Sequence, residues 1–373
     1  MVADRFRSGA YVEALRKTVR QGSVVVEIGT GPGVFAVLSC QLGARQVYAI
    51  EMGGIIQVAR EIAAANGCAD KVEFIEGYSE RVTLPERADV VVSDLRGVLP
   101  LFERHIPAIA DARHRFLAPN GILVPQKDIL WAAIVEAPES YKELVDPWEN
   151  NALGQDLSVA RQMIVNTTHK IRVNPDQLLT AEQLWTTLDY RTVKDPDVRG
   201  HLHWRVERAG TGHGILVWFD ANLAEGAGFS TGPSAPETIY GSLFLPWTRP
   251  VSLAPHQEVA VRLEAKLVEN DYVWRWTTQI KPSGVSDTAH IEFAQSQLSG
   301  DVLSTVQLHK TAADYTPHLS EEGRLHRRAF ELVDGTISLE EIAHRLATEF
   351  PQRFPKWEQA LSYVGAISRE FSR

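Results

Sequence analysis

Apolar positions in the first third of the chain come in two alternating patterns. Short solid runs stand at Val24–Ile28, Gln46–Ile50, Val72–Glu76, Val90–Ser93 and Ile122–Val124, and helically spaced apolar residues fill the gaps. Runs of this kind separated by helix-length segments predict a parallel, doubly wound sheet with helices on its faces. The pattern changes near Gln126. From there to Thr311 period two dominates, as in Val259-Ala260-Val261-Arg262-Leu263-Glu264 and Tyr272-Val273-Trp274-Arg275-Trp276. That alternation predicts an antiparallel sheet or barrel. The stretch from Trp148 to Gln183 interrupts it, being polar and partly helical, and reads as a projecting arm. Beyond Pro317 the pattern is helical again. Ser338 is the expected cap of a helix whose apolar stripe runs through Leu346. The expected architecture is therefore α/β in three parts: a parallel-sheet domain over 1–125, a β-barrel over 126–311 with an arm at about 146–185, and a small helical or winged-helix module over 312–373.

The first two runs carry candidate chemistry. Val24-Val25-Val26 leads into Glu27, then into Gly29-Thr30-Gly31-Pro32-Gly33, and the second run ends at Glu51. Strand, glycine turn, helix, strand and acid form a Rossmann-like nucleotide-binding unit. Gly29, Gly31 and Gly33 suit a backbone that a ligand must approach closely. Glu51 is placed to accept both ribose hydroxyls. A dinucleotide site wants G-x-G-x-x-G with a pyrophosphate over the helix. Here the spacing is G-x-G-x-G behind an acid, which repels a pyrophosphate and suits the ammonium of a methionyl group. S-adenosylmethionine (SAM) is the favoured ligand over NAD. In an open α/β sheet the ligand sits at the strand C-terminal ends, where Glu27, Glu51 and Asp94 fall.

Composition narrows the setting. Apolar residues make up 44% and charged residues 23%, the balance of a globular chain. A net charge of −9 argues against nonspecific nucleic-acid binding. Two cysteines, Cys40 and Cys68, make no disulfide framework and read as buried thiols of a cytoplasmic protein. No apolar run is long enough to span a bilayer, so no membrane partner is expected. His201, His203 and His213 have an H-x-H spacing but no supporting ligands, and no metal is expected. Trp204, Trp218, Trp247, Trp274 and Trp276 read as core.

Several motifs together resemble the protein arginine methyltransferases. Met1-Val2-Ala3-Asp4-Arg5-Phe6-Arg7 with Tyr11 resembles the helix ahead of that family's SAM loop. Phe74-Ile75-Glu76-Gly77-Tyr78-Ser79-Glu80 resembles its adenine segment. Ser93-Asp94-Leu95-Arg96-Gly97 through Leu101-Phe102-Glu103 resembles its two-acid loop. Ala112-Arg113 with Leu117-Ala118-Pro119-Asn120-Gly121 continues the register, and Gly228-Phe229-Ser230-Thr231-Gly232-Pro233 resembles its G-F-S-T-S-P. The resemblance covers roughly residues 1 to 280. It implies SAM as cofactor, with Arg7 on its carboxylate, Glu27 and the three glycines under the methionyl end, Glu51 and Met52 at the ribose, and Ser79 and Glu80 at the adenine. It implies Asp94 and Glu103 as the acids that face the acceptor, and methyl transfer to a nitrogen of a peptide, protein or small molecule. Trp148-Glu149-Asn150-Asn151 and Gly154-Gln155-Asp156-Leu157 resemble the family's dimerisation arm, which implies a homodimer.

The chain also departs from the family. Asp94 replaces a glutamate, and Arg96 stands where the family is apolar. Arg96 is expected to pair with Asp94 or Glu103 and neutralise the clamp. Thr238-Ile239-Tyr240 replaces T-H-W, so Asp4 is expected to lose a histidine partner. His105 aligns with a family methionine; it reads either as a structural histidine or as a catalytic base toward a hydroxyl or neutral nitrogen. The quoted sequence begins at Met1, so the family's aromatic helix over SAM is expected to be absent or supplied otherwise. Leu332-Val333-Asp334-Gly335-Thr336-Ile337-Ser338-Leu339-Glu340-Glu341-Ile342-Ala343 resembles PqqD-like modules, which bind a leader peptide as an added strand; a helical cap is the other reading. A noncatalytic scaffold, or a methyltransferase of a small natural product, remains the alternative function.

Overall fold

The computed structural model describes residues 2–282, 290–301 and 304–372. Met1, the first residue of the N-terminal motif, lies outside the described residues. Helix α1 (Arg5–Thr18) is capped by Asp4, whose Oδ1 accepts from the Arg7 amide at 3.0 Å. There follow β1 (Val24–Ile28), α2 (Val34–Gln41), β2 (Gln46–Glu51), α3 (Ile56–Ala65), β3 (Val72–Glu76), β4 (Ala88–Ser93), α4 (His105–Arg115) and β5 (Leu117–Val124). The five strands form one parallel sheet in the order β3-β2-β1-β4-β5. The strands start and stop close to where the apolar runs put them. β5 is longer than its apolar run because Ala88 pairs with Leu117 ahead of a register shift, and a backbone ladder does not require apolar side chains. The winding reverses between β1 and β4, which opens a crevice at their C-terminal ends.

The β-rich half comprises β6 (Lys127–Val135), α5 (Pro138–Glu149), α6 (Ser158–Val165), β7 (His169–Ile171), β8 (Gln183–Asp189), β9 (Val198–Arg205), β10 (Gly210–Ala224), β11 (Ala227–Ser230), β12 (Ser242–Leu253), β13 (Glu258–Val268), β14 (Asp271–Ile280), β15 (Ile291–Ser296) and α7 (Gln297–Gly300). Hydrogen bonding divides it into two antiparallel sheets, ordered β7-β12-β10-β6-β8 with β11 on β10, and β15-β14-β13-β9. The expected barrel is thus two sheets facing one another. Tryptophans fill the space between them. Trp247 meets Phe293 at 5.7 Å and donates to Thr278 Oγ1 at 3.1 Å, and Trp185 meets Trp274 at 5.6 Å. Period-two inward residues such as Val259, Val261, Leu263 and Ala265 supply the rest. One continuous core joins this half to the parallel sheet, with α1 packed on α2 and on β10 and β11.

Helices α5 and α6 occupy much of the stretch where an arm is expected, with α5 beginning ahead of it at Pro138. β7 ties its return to β12. Lys170 and Arg172 then reach the carbonyls of Ile239 and Thr238.

Contacts divide the chain into compact units at Met1–Asp301 and Val302–Arg373, a boundary ahead of the expected 311/312. The second unit contains α8 (Thr305–Lys310), α9 (Glu321–Leu332), α10 (Leu339–Glu349) and α11 (Trp357–Phe371). Leu325, Leu332, Ile342, Leu346, Phe354 and Val364 are among its core residues. Ser338 caps α10 as expected, accepting from the Glu341 amide at 3.2 Å. Among its described residues the unit is helical and holds no strand. No helix among the described residues is long and apolar enough to cross a membrane.

Candidate active site

The crevice at the ends of β1, β2 and β4 gathers most of the residues singled out in the sequence. Gly29 and Thr30 amides donate to the Ile50 carbonyl at 2.9 and 3.1 Å, folding the loop back on β2. Gly29 and Gly33 have φ of +71° and +78°. A Cβ at Gly29 would collide with Leu95, and one at Gly33 would lie 3.0 Å from the Ala59 Cβ. Glu51 braces the loop: its Oε2 accepts from the Gly31 amide and its Oε1 from the Gly53 amide, both at 2.9 Å. Met52 beside it is exposed.

Glu27 is buried, and Thr30 Oγ1 donates to it at 2.5 Å. Burial pushes its carboxyl up to about 8, against the opposing hydrogen bond from Thr30. Ser79 is buried, and its carbonyl accepts from Arg115 Nη2 at 2.6 Å. Glu80 accepts from Arg104 at 3.1 and 2.9 Å.

Asp94, just past β4, is the centre of a buried polar network. Its Oδ2 accepts from Arg7 Nε at 2.5 Å, and Arg7 Nη2 joins the same oxygen in an ion pair. The Tyr240 hydroxyl lies 2.6 Å from Oδ1 and 2.8 Å from Oδ2. Arg96 Nη1 donates to Oδ1 at 3.1 Å. The Arg96 side chain is fully buried and bonds Asp128 of β6 in bidentate fashion, at 2.8 Å on each oxygen. It also donates to Tyr11 Oη at 2.6 Å, and Tyr11 donates to the Ser93 carbonyl at 2.9 Å. Arg96 therefore pairs with Asp94 as expected, but chiefly with Asp128, and not with Glu103. Burial works against the Arg96 charge, yet Asp128, Tyr11 and Tyr190 together outweigh it, and the guanidinium stays protonated well past its ordinary range. Burial raises the Tyr240 and Tyr190 hydroxyls, so both phenols remain neutral donors.

His105, a candidate base, opens α4 with its ring turned into the core. Tyr190 spends its proton on Asp128 Oδ2 at 2.6 Å, so His105 must donate Nε2–H to Tyr190 Oη at 2.8 Å. Burial and the nearby Arg96 charge hold its pKa well below the usual histidine range. The structure thus gives His105 a structural place, with Nδ1 left without a partner among the described residues.

Glu103 is the outlier of the group. It is exposed, takes a φ of +42°, and makes no hydrogen bond or ion pair among the described residues. Asp4 corrects a second expectation. Its Oδ2 accepts from the Ile239 amide at 2.8 Å, so the backbone replaces the missing histidine. The G-F-S-T-G-P segment seats Tyr240: Phe229 stacks on it at 5.8 Å, with Phe219 edge-on at 5.5 Å. His213 is likewise structural, accepting from the Ala137 amide at 3.2 Å on a different sheet from His201 and His203.

Asp128, Tyr190 and Tyr240 escaped the sequence reading. Asp128 and Tyr190 belong to no motif. Tyr240 was visible only as the last position of Thr238-Ile239-Tyr240.

Comparison with known proteins agrees with this geometry. Residues 126–281 match the family model of the arginine methyltransferase oligomerization subdomain, and residues 10–142 match that of ribosomal protein L11 methyltransferase (PrmA). A probable protein arginine N-methyltransferase 6 of Arabidopsis thaliana is 30% identical over 251 residues, 65% of this chain and 57% of that protein. Protein arginine N-methyltransferase 1 of Dictyostelium discoideum is 27% identical over 64% of this chain and 72% of its own. Among solved structures, the Trypanosoma brucei PRMT1 enzyme–prozyme complex with AdoHcy superposes with a TM-score of 0.71 at 21% identity, covering 79% of this chain and 96% of the other. Arabidopsis thaliana protein arginine methyltransferase 10 gives 0.69 at 24% identity, covering 80% and 96%. Residues 10–142 thus resemble a methyltransferase half, residues 126–281 resemble the arginine methyltransferase oligomerization subdomain, and the chain is similar across both to protein arginine methyltransferases.

Proposed function

We propose that the chain transfers a methyl group from SAM to a nitrogen of a peptide, protein or small-molecule acceptor. The observation that carries this reading is the cradle at the end of β1: a loop in which Gly29 has no room for a side chain, with Glu51 braced across it and Glu27 beneath. Bound there, SAM supplies an electrophilic methyl group on a sulfonium. Glu51 holds the ribose hydroxyls, Arg7 the carboxylate, Glu80 the adenine amine, and Glu27 faces the ammonium, whose charge favours ionisation of a carboxyl otherwise held neutral by burial. Met52 and Ser79 flank the nucleoside. Asp94 and Glu103 lie on the acceptor side, and transfer rests on positioning and electrostatics rather than on a strong base. Arginine in proteins is the acceptor class that the relatives' names give. Titration calorimetry with SAM, followed by mass spectrometry for a gain of one methyl, tests the reading. A chain that binds no SAM refutes it.

The same reading includes a cytoplasmic homodimer joined through the arm, with residues 1–125 as the donor half and the second unit as an appended helical module. Leu153, Val159 and Met163 support the dimer, because all three are exposed apolar residues on or beside α6. Light scattering should give twice the chain mass, reduced to one in a triple serine variant. A monomeric parent chain would remove the arm from the reading.

A further inference from the structure

Resting on the methyl-transfer reading, we propose that Arg96 is a specificity-determining positioning residue, which occupies Asp94 and so selects an acceptor nitrogen of the neutral imidazole class over a guanidinium cation. A carboxylate offers about four lone-pair sites. Asp94 already receives Arg7 on Oδ2 and Arg96 on Oδ1, and the one Tyr240 hydroxyl proton is shared between the two oxygens. A substrate guanidinium placed on it would be the third cation around one acid. Across the buried network Arg7 and Arg96 are balanced by Asp94 and Asp128, so the network as a whole presents no net negative charge to an incoming cation. Turning Asp94 out toward a substrate would also break its bonds to three buried groups. Glu103 is then the one acid of the loop left exposed and without a hydrogen bond or ion pair among the described residues.

A single open carboxylate suits a particular nitrogen. Arginine and lysine side chains are cations at neutral pH. Amide and indole nitrogens have no lone pair free for attack. Neutral imidazole has one N–H for Glu103 to accept and a bare lone pair on its other nitrogen. That lone pair attacks the methyl carbon, the carbon–sulfur bond breaks, and its electron pair stays on sulfur. The ring proton passes to Glu103 and then to water. The products are an N-methylimidazole and a thioether.

The test compares two acceptors that differ only in the reacting side chain, the peptides Gly-Gly-Arg-Gly-Gly and Gly-Gly-His-Gly-Gly, with labelled SAM. The whole chain is compared with R96M/D128N, which removes both buried charges together so that neither is stranded. A second variant, Y240F, frees one contact of Asp94 while leaving the ion pairs. The parent chain should favour the histidine peptide in kcat/KM by at least tenfold, and R96M/D128N should shift the ratio toward arginine by at least tenfold, with Y240F moving it the same way. A purely structural role for Arg96 would lower both rates and leave the ratio alone. A parent chain that prefers the arginine peptide, or a ratio unmoved in both variants, overturns the proposal while methyl transfer stands. Binding of SAM with label in neither peptide overturns the proposal and leaves transfer to other acceptors standing, whereas no binding of SAM refutes the cofactor site and the transfer reading with it.

Discussion

At the scale of single residues, the donor side and the acceptor side of the crevice respond differently to substitution. If SAM binds as proposed, Arg7→Ala and Glu51→Ala each remove charge-assisted bonds to it, and should weaken SAM binding by about tenfold to a hundredfold in titration calorimetry. Glu103→Gln keeps the cradle and should leave SAM binding intact while lowering kcat about a hundredfold. Glu27 gives a pH signature. Its carboxyl sits near 8 when folded, above the 4.5 of a free glutamate, because it is buried. The folded state therefore holds a proton that the unfolded state releases between those values. The stabilising contribution is complete below about 4.5 and is lost as pH rises through about 8. Urea midpoints taken across pH 5 to 9 should fall with pH, and Glu27→Gln should flatten the slope. The glycine loop and the acids at the ends of β1 and β2 were legible in the sequence because glycine spacing and strand-terminal acids are local signals. The sequence hid Asp128 and Tyr190, which become neighbours of Arg96 only after the β-rich half folds against the parallel sheet.

At the scale of elements, caps and strand periodicity were legible because each depends on a few adjacent residues. Ser338 was readable as a cap, and Ser338→Ala should cost about 1 kcal/mol in the stability of the second unit, measured by its denaturation midpoint. The five parallel strands were readable from solid apolar runs. Sheet closure was not. Whether period-two strands join into a barrel or split into two sheets depends on pairing between strands distant in sequence, such as β10 with β6 and β13 with β9. In the second unit the helical spacing was legible, and the described residues fold as helices.

At the scale of the whole molecule, the order of parts was legible from the change of periodicity near Gln126, while the stitching between them was not. Arg96 follows a strand of the parallel sheet, and Asp128 begins the β-rich half, so their bidentate pair crosses the seam. Both side chains are fully buried. Parting the halves would strand two charges in a poorly solvated seam, a cost far above that of a surface ion pair. The seam therefore behaves as a weld rather than a hinge. Protons trapped on the Arg96 guanidinium and the Tyr190 hydroxyl become a clock for it. In hydrogen-exchange NMR they should leave only as slowly as the core amides of β1, because no smaller opening lets water reach them.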